Sequence, residues 1–274
     1  MNKISVVVVV KNEFKKIKRC LQSIKKNNPD EIIVVDGDSS DSTVTIAKNF
    51  TKKIFISKNS NLTRDRQIGV DRSKNEIIAM IDGDHVLKKN DLKSLLKDLK
   101  NFNFDMVQSQ IQVFRISSFM NKAENDWYDL FHNTPGKKKM IGGAPAIYKK
   151  SIFKKVKFND RITKSLEDID FIYNLRKKNL VFGVGHTKIS QDHSGRLKDY
   201  LKKFLWYGKG DGEFIKKNPS QFAKTFYHLF IRYLLIYNIK AMLNFKFNLV
   251  FFLTFQSLVR IYSMIKYLLF NLKN

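Results

Sequence analysis

The sequence is poor in cysteine and proline and, over its last stretch, has no acidic residues, and each shortage excludes something. Cys20 is the only cysteine among 274 residues, which excludes an internal disulfide and a cysteine-based zinc cluster and fits a reducing compartment. With four prolines there is no Pro-rich linker, and neither an internal repeat nor a low-complexity tract interrupts the chain. A Gly-rich phosphate loop of the Walker type is missing, and Gly208-Lys209-Gly210-Asp211-Gly212 lacks the strand–turn–helix setting of a dinucleotide fingerprint. Phosphate handling must then rest on metal and cationic side chains. From Phe214 to Asn274 there is no Asp or Glu, while Lys216, Lys217, Lys224, Arg232, Lys240, Lys246, Arg260, Lys266 and Lys273 are spread among Phe, Leu, Ile and Tyr.

The formal charge of +26 calls for an anionic partner, whether nucleic acid, nucleotide phosphates or an acidic lipid surface. The tail is greasier than a nucleic-acid arm, and nucleic acid is not expected as a partner. Two stretches, Phe226–Leu243 and Phe247–Leu272, approach the roughly 20 apolar residues that span a bilayer. Arg232, Arg260 and Lys266 inside them oppose simple spanning, since a central Arg costs about 2.5–3.5 kcal/mol. Helices lying in the interface of an anionic membrane, at its cytoplasmic face, are expected; insertion and a buried helical pair are the alternatives.

What is present is enough for a full core, with 43% hydrophobic residues, and reads as an α/β domain with an appendage. The opening Ile4 to Val10 run precedes Lys11-Asn12-Glu13 without a small-residue cleavage site, so it reads as a first buried strand rather than a signal peptide. Helical spacing of Phe14, Ile17, Leu21 and Ile24 follows, then strands at Glu31–Val35 and Ile54–Ser57 around a helix near Val44–Phe50. A strand at Ile77–Ile81 and a helix marked by Leu92, Leu95, Leu96 and Leu99 complete an alternation that argues for a parallel sheet. In Val107–Val113 glutamine occupies the even positions, which predicts a strand with one wet face.

Three strand ends carry the candidate chemistry. Asp82-Gly83-Asp84-His85 directly follows the Ile-rich strand, and ligands bind where such strands end. Side chains two residues apart in extended backbone point the same way, so both carboxylates can face one hard divalent cation; good turn chemistry is the bland alternative. The first strand ends at Lys11-Asn12-Glu13 and the second at Asp36-Gly37-Asp38, where acidic and amide groups suit a base and ribose. The segment from Asp36 fails as a calcium loop, because Asp41 stands where glycine is required and Ala47 where the bidentate glutamate is. Arg64 and Arg66, shortly before the Asp82 strand, are candidates for a diphosphate, with a solvated loop as the alternative. Glu167 and Asp168 open a helix; they read either as dipole partners or, for Asp168, as a general base. Gly142 and Gly143 permit a close backbone approach to a bound group or simply a tight turn. His186 and His193 are candidates as metal ligands or donors to departing phosphate, or are structural.

Taken in order, Val6–Glu13, Asp36–Thr43, Arg66-Gln67-Ile68-Gly69, Asp82-Gly83-Asp84, Gly142–Lys150 and Glu167-Asp168 resemble the family 2 glycosyltransferases with the GT-A fold, over about residues 4–212. The resemblance implies a Rossmann-like, mixed and mostly parallel sheet, here with a C-terminal membrane-associated helical region. It implies inverting transfer from a nucleotide-diphospho-sugar with one Mg²⁺ or Mn²⁺. By the match Glu13, Asp36 and Asp38 would sit at the nucleotide, Arg66 near its phosphates, Asp82 and Asp84 at ribose and metal, and Asp168 would be the base; to these the reading of the residues adds Arg64 for the donor, His193 for the metal, and Gly142, Gly143 and Glu167 for the acceptor. The chain differs in having Gln67 where asparagine is common and His85 after the acidic pair. The Gln-x-x-Arg-Trp signature of the family's processive members is missing around Trp206, which implies single-sugar addition, and the basic apolar tail suggests a lipid-linked or membrane glycan acceptor. Residues 1–112 would form the nucleotide-sugar-binding half, 113–213 the acceptor-binding and catalytic half, and 214–274 basic amphipathic membrane-associated helices. A polyprenyl-phosphate glycosyltransferase and a non-catalytic membrane-bound nucleotide-sugar or anionic-lipid binding protein are the alternatives.

Overall fold

The computed structural model describes residues 3–58, 61–159 and 163–271. In chain order the elements are β1 (Ile4–Val10), α1 (Ile17–Lys25), β2 (Glu31–Asp36), α2 (Thr43–Ala47), β3 (Ile54–Ile56), α3 (Leu62–Arg72), β4 (Ile77–Asp82), β5 (His85–Val86), α4 (Asp91–Asn101) and β6 (Met106–Val113). There follow α5 (Phe119–Trp127), β7 (Gly136–Lys137), β8 (Ala146–Lys149), α6 (Glu167–Lys177), β9 (Phe182–Gln191), α7 (Leu197–Lys217), α8 (Phe222–Phe226), α9 (Asn238–Leu243) and α10 (Phe247–Asn271). A π-helical segment, Tyr227–Tyr237, joins α8 to α9. The chain forms two compact units. The first takes in Met1–Phe114, Phe131–Asp160 and Glu167–Asp192; the second takes in Arg115–Leu130, Arg161–Leu166 and His193–Asn274. Residues 113–213 thus contribute to both.

The first unit is a mixed α/β sheet in the order β3-β2-β1-β4-β8-β6-β9-β5, with β7 on β9. From β3 to β4 the strands are parallel, β8 runs antiparallel to both its neighbours, and β9 is parallel to β6. The valine run of β1 is buried at every position because both of its faces are covered. Val6, Val8 and Val10 pack with Ile17, Leu21 and Leu95 from α1 and α4, while Val7 and Val9 pack with Val70 and Phe171 from α3 and α6. A strand buried on both faces needs apolar side chains at odd and even positions alike, which is why no alternation shows in its sequence. Pairing places Val10 beside Asp36 on one flank and Val9 beside Asp82 on the other, so two carboxylates end at one level of the sheet.

Two expectations need revision here. The polar segment before β4 is the helix α3, capped by the Asn61 side chain accepting from Arg64 N–H at 3.0 Å. It carries little apolar periodicity because its inner face buries Thr63, Asp65 and Arg66. The glutamine face of β6 is half-buried rather than wet, since Gln108 accepts from Gly142 N–H at 2.8 Å and Gln112 donates to Ser190 at 2.9 Å.

The second unit is helical, and its closest contact is that of α7 with α10. A Cβ on Gly208 would lie 2.4 Å from the Arg260 carbonyl oxygen, and one on Gly212 would lie 2.7 Å from Tyr267. Glycines four residues apart give a helix a smooth stripe against which a second backbone can settle. Between them Asp211 takes a two-pronged hydrogen bond from Arg260, at 2.8 and 2.9 Å, and both side chains are buried. The segment that fails as a phosphate loop is therefore a helix-packing surface. Among the described residues one helix, Phe247–Phe270 within α10, is long and apolar enough to cross a membrane, and half of its most apolar stretch is buried. The stretch expected to end at Leu272 runs past the described residues.

Candidate active site

The loops after β1 and β2 are stitched together where those strands end. Asp36 is buried and accepts from Ser39 through both N–H, at 2.7 Å, and hydroxyl, at 2.6 Å. Asn12, in left-handed backbone at φ 55°, donates its N–H to Ser39 Oγ at 2.8 Å and accepts from Ser40 N–H at 2.9 Å. Asp41 accepts from Thr43 N–H at 2.9 Å, and Thr43 in turn accepts from Glu13 N–H at 2.8 Å. These bonds fix Asp36 and Glu13 on one sheet edge. Asp38 is exposed at φ 66°.

The third strand end is built around a turn. His85 Nδ1 accepts from Asp82 N–H at 2.9 Å, which closes Asp82-Gly83-Asp84-His85 on itself. Asp84 is anchored to the end of β9, where Gln191 Nε2 donates to its Oδ2 at 3.2 Å and Asp192 N–H to its carbonyl at 2.8 Å. A side chain at position 83 would meet Val10 at 2.7 Å.

Arg66 ties this end to the first turn of α6. Its Nη2 lies 3.2 Å from Asp82 Oδ1 and its Nε 3.3 Å from Glu167 Oε1, while the guanidinium itself is buried. Beside Glu167, Asp168 accepts from Gly143 N–H at 3.1 Å, and Gly142 hangs from Gln108 on β6. Gly143 must be glycine, because a Cβ there would lie 2.8 Å from Asp168 Cβ and 3.2 Å from Arg66 Nη1. Among the described residues that buried Nη1 has no hydrogen-bond partner, an unsatisfied donor of the kind that suits an anion. Tyr148 closes the cluster by donating to the Gly143 carbonyl.

Burial pushes the Glu13 carboxyl up to about 7; Lys16 opposes the rise, and Asp84, Asp82 and Asp41 add to it. Burial also raises Glu167 against the pull of Arg66, with Asp168 and Asp82 adding repulsion. The edge is thus overcrowded with negative charge. Among the described residues no three His, Cys, Asp or Glu side chains gather into a metal cage. Asp82 and Asp84 offer hard oxygen donors of the kind a divalent cation takes.

Of the residues expected at the site, the structure brings together Glu13, Asp36, Asp82, Asp84, Arg66, Glu167, Asp168, Gly142 and Gly143 within the first unit. Arg64 lies two residues from Arg66 on α3 and is exposed, because positions two apart on a helix face different ways. His193 belongs to the second unit, where its Nδ1 lies 2.5 Å from the buried Glu124. Lys203 and the Tyr200 hydroxyl donate to the same carboxylate at 3.0 and 2.6 Å, and Glu124 is held well below the usual carboxylate range by His193 and Lys203 in spite of its burial. His186 is exposed beside Asp98 at 3.2 Å. Gln108 and Tyr148, which set the Gly142-Gly143 loop, were not among the expected residues; the glutamine alternation of β6 was the available signal.

The chain matches the glycosyl transferase family 2 model over residues 5–157. An uncharacterized glycosyltransferase of Rickettsia bellii is 37% identical over 87 residues, which are 32% of this chain and 29% of that one. The match therefore spans about a third of the length of such curated relatives. Among solved structures, S. aureus TarS 1-349 in complex with UDP-GlcNAc superposes with a TM-score of 0.53 at 18% identity, covering 78% of this chain and 66% of that one. Glucosyl-3-phosphoglycerate synthase from Mycobacterium tuberculosis, in complex with Mg²⁺ and uridine-diphosphate, gives 0.57 at 14% identity, covering 78% and 79%. At these identities the structures share the fold. With the family model matched over more than half of its length, the chain belongs to glycosyl transferase family 2.

Proposed function

We propose that this chain transfers one sugar, with inversion, from a nucleotide-diphospho-sugar to a hydroxyl of a lipid-linked or membrane-presented glycan at the cytoplasmic face of the cell membrane. The observation that carries this reading is the buried guanidinium of Arg66, which lies between Asp82 at the strand end and Glu167 in the first turn of α6. It couples a place for the diphosphate to a place for the base. The ligands in the two solved relatives support a nucleotide donor.

In the proposed reaction the acceptor oxygen bonds to the anomeric carbon while the bond from that carbon to the diphosphate oxygen breaks, and the diphosphate keeps the electron pair. Asp168 takes the hydroxyl proton; its Oδ2 is held in position by Gly143 N–H. Arg66 offers Nη1 to the departing oxygens in a water-poor setting, where such a donor counts most. Glu13, Asp36 and Asp38 line the edge where base and ribose would lie, and the exposed Arg64 would reach outer phosphate oxygens. Asp82 and Asp84 would hold Mg²⁺ or Mn²⁺, which supplies electrostatic stabilisation of the leaving diphosphate when bound. One in-line displacement inverts the anomeric centre.

The test is calorimetric binding of UDP, GDP, CMP and dTDP with Mg²⁺, with Mn²⁺ and with chelator, on the wild type and Asp84→Asn. Metal-dependent binding of one nucleotide, lost in the variant, supports the reading and names the donor class; no binding of any nucleotide overturns it. Asp168→Asn is expected to abolish transfer and keep binding. Transfer that persists in that variant points to an acceptor phosphate that needs no base.

A further inference from the structure

Helix α9 ends in a Schellman motif. Lys246 N–H reaches back to Ala241 O and Phe245 N–H to Met242 O, both at 2.9 Å. Phe245 itself takes left-handed backbone, φ 55°, a position ordinarily left to glycine because a Cβ is strained there. This chain puts phenylalanine in it, and leaves that ring 82% exposed. Its neighbours Leu243 and Phe247 are 75% and 66% exposed, so the turn into α10 presents apolar side chains to the surroundings on a strained backbone. Folding gains nothing from such a residue at such a place. Strain that packing does not reward points to a use outside the folded chain.

The surroundings define the occupant. On α10 the exposed Phe247, Phe251, Leu258, Tyr262, Ile265 and Leu269 recur at helical spacing along one face. Exposed Arg232, Lys240 and Lys266 lie among the apolar residues of these helices, and residues 214–274 contain no acidic group. Lys246 in the turn is taken by Asp126 at 3.0 Å, and the exposed cations Arg232, Lys240 and Lys266 among apolar side chains complement an anionic bilayer, whose headgroups take the cations and whose acyl boundary takes the rings. Spanning is disfavoured because the middle of α10 is bonded to α7 through Arg260 and Asp211.

We infer that the α9–α10 turn is a membrane wedge: Leu243, Phe245 and Phe247 enter the interface of an anionic leaflet while α10 lies in its plane. This rests on the reading that the acceptor is membrane-presented. The experiment is flotation of the full chain with phosphatidylcholine vesicles, with and without phosphatidylglycerol, for the wild type, Phe245→Gly and Phe247→Ser, beside thermal melts and nucleotide binding. Expected is salt-sensitive binding to the anionic vesicles, reduced about tenfold in each variant. Phe245→Gly should melt no lower than the wild type, since glycine suits the left-handed turn. Wild-type binding that the variants leave unchanged overturns the wedge and spares the membrane reading. Failure of the wild type to bind any vesicle overturns both, and a concentration-dependent dimer lost in Phe245→Gly would then make a second copy the occupant. Unchanged nucleotide binding throughout keeps the donor site out of either result.

Discussion

Arg66 and Glu167 form a buried ion pair, 3.3 Å from Nε to Oε1, that joins α3 to α6 within the sheet unit. The same guanidinium contacts Asp82, so neutralising it leaves two carboxylates uncompensated beside Asp168. Arg66→Ala is expected to lose about 3–5 kcal/mol of stability, the usual cost of stripping one partner from a buried pair. Arg66→Lys keeps the charge as a single compact ammonium and cannot serve both carboxylates with a planar fork. It should recover much of the melting temperature and little of the nucleotide affinity. Equal affinity in Arg66→Lys and the wild type, by calorimetry, would remove the bridging role.

Two glycines distinguish site from scaffold. Gly143→Ala drives a methyl to 2.8 Å from Asp168 Cβ, whereas Gly69→Ala drives one to 2.2 Å from Val7 Cγ1 between α3 and β1. The expected cost of Gly69→Ala is about 1–3 kcal/mol or more, with activity per folded molecule preserved. Gly143→Ala should cost less stability and about a hundredfold or more in transfer rate, because misplaced catalytic groups are costly. Melting curves and initial rates on the same preparations separate the two, and parallel losses in both variants would reduce Gly143 to a packing residue.

The strand ends were legible because their physics is local. An apolar run without alternation means burial on both faces, and the residues that stop it, Glu13, Asp36 and Asp82, fall where a parallel sheet binds ligands. Helix α3 was not legible, since its buried face is made of Thr63, Asp65 and Arg66 and its reward lies in a partner far along the chain. Glu167 read equally well as a dipole partner until the fold supplied Arg66. For Gly208 and Gly212 the sequence excluded a phosphate loop without offering another role, and the contact with α10 could be seen only in three dimensions. Phe245 carries no sequence signal for a left-handed turn at all; the backbone reveals it.

Stability should carry the mark of Glu13. Its folded carboxyl is raised from the model-compound range to about 7, chiefly by burial, so between about pH 4.5 and 7 the folded chain binds a proton that the unfolded chain has released. The sign follows: this group's contribution is full below the unfolded value and is lost as pH rises through 7. The side chain is 32% exposed, which discounts the effect to about 1–2 kcal/mol. Chemical denaturation from pH 5 to pH 8 should show wild-type stability falling relative to Glu13→Gln. Parallel profiles would mean that Glu13 is ionised throughout.

The α7–α10 contact allows a test with opposite signs for single and double changes. Asp211 and Arg260 are both buried and bond through two hydrogen bonds, so their desolvation is offset only while both are present. Asp211→Ala should therefore lose about 3–5 kcal/mol, and Arg260→Met a similar amount, each by stranding the other charge. Asp211→Leu combined with Arg260→Met removes both charges and keeps apolar bulk between the helices, and is expected to be neutral or to gain about 1–4 kcal/mol. Denaturant melts of the full chain in detergent decide it. Additive losses in the double variant would mean that the pair specifies the helix register, with Gly208 and Gly212 unable to hold it alone, and that the close contact of these helices depends on its buried charges.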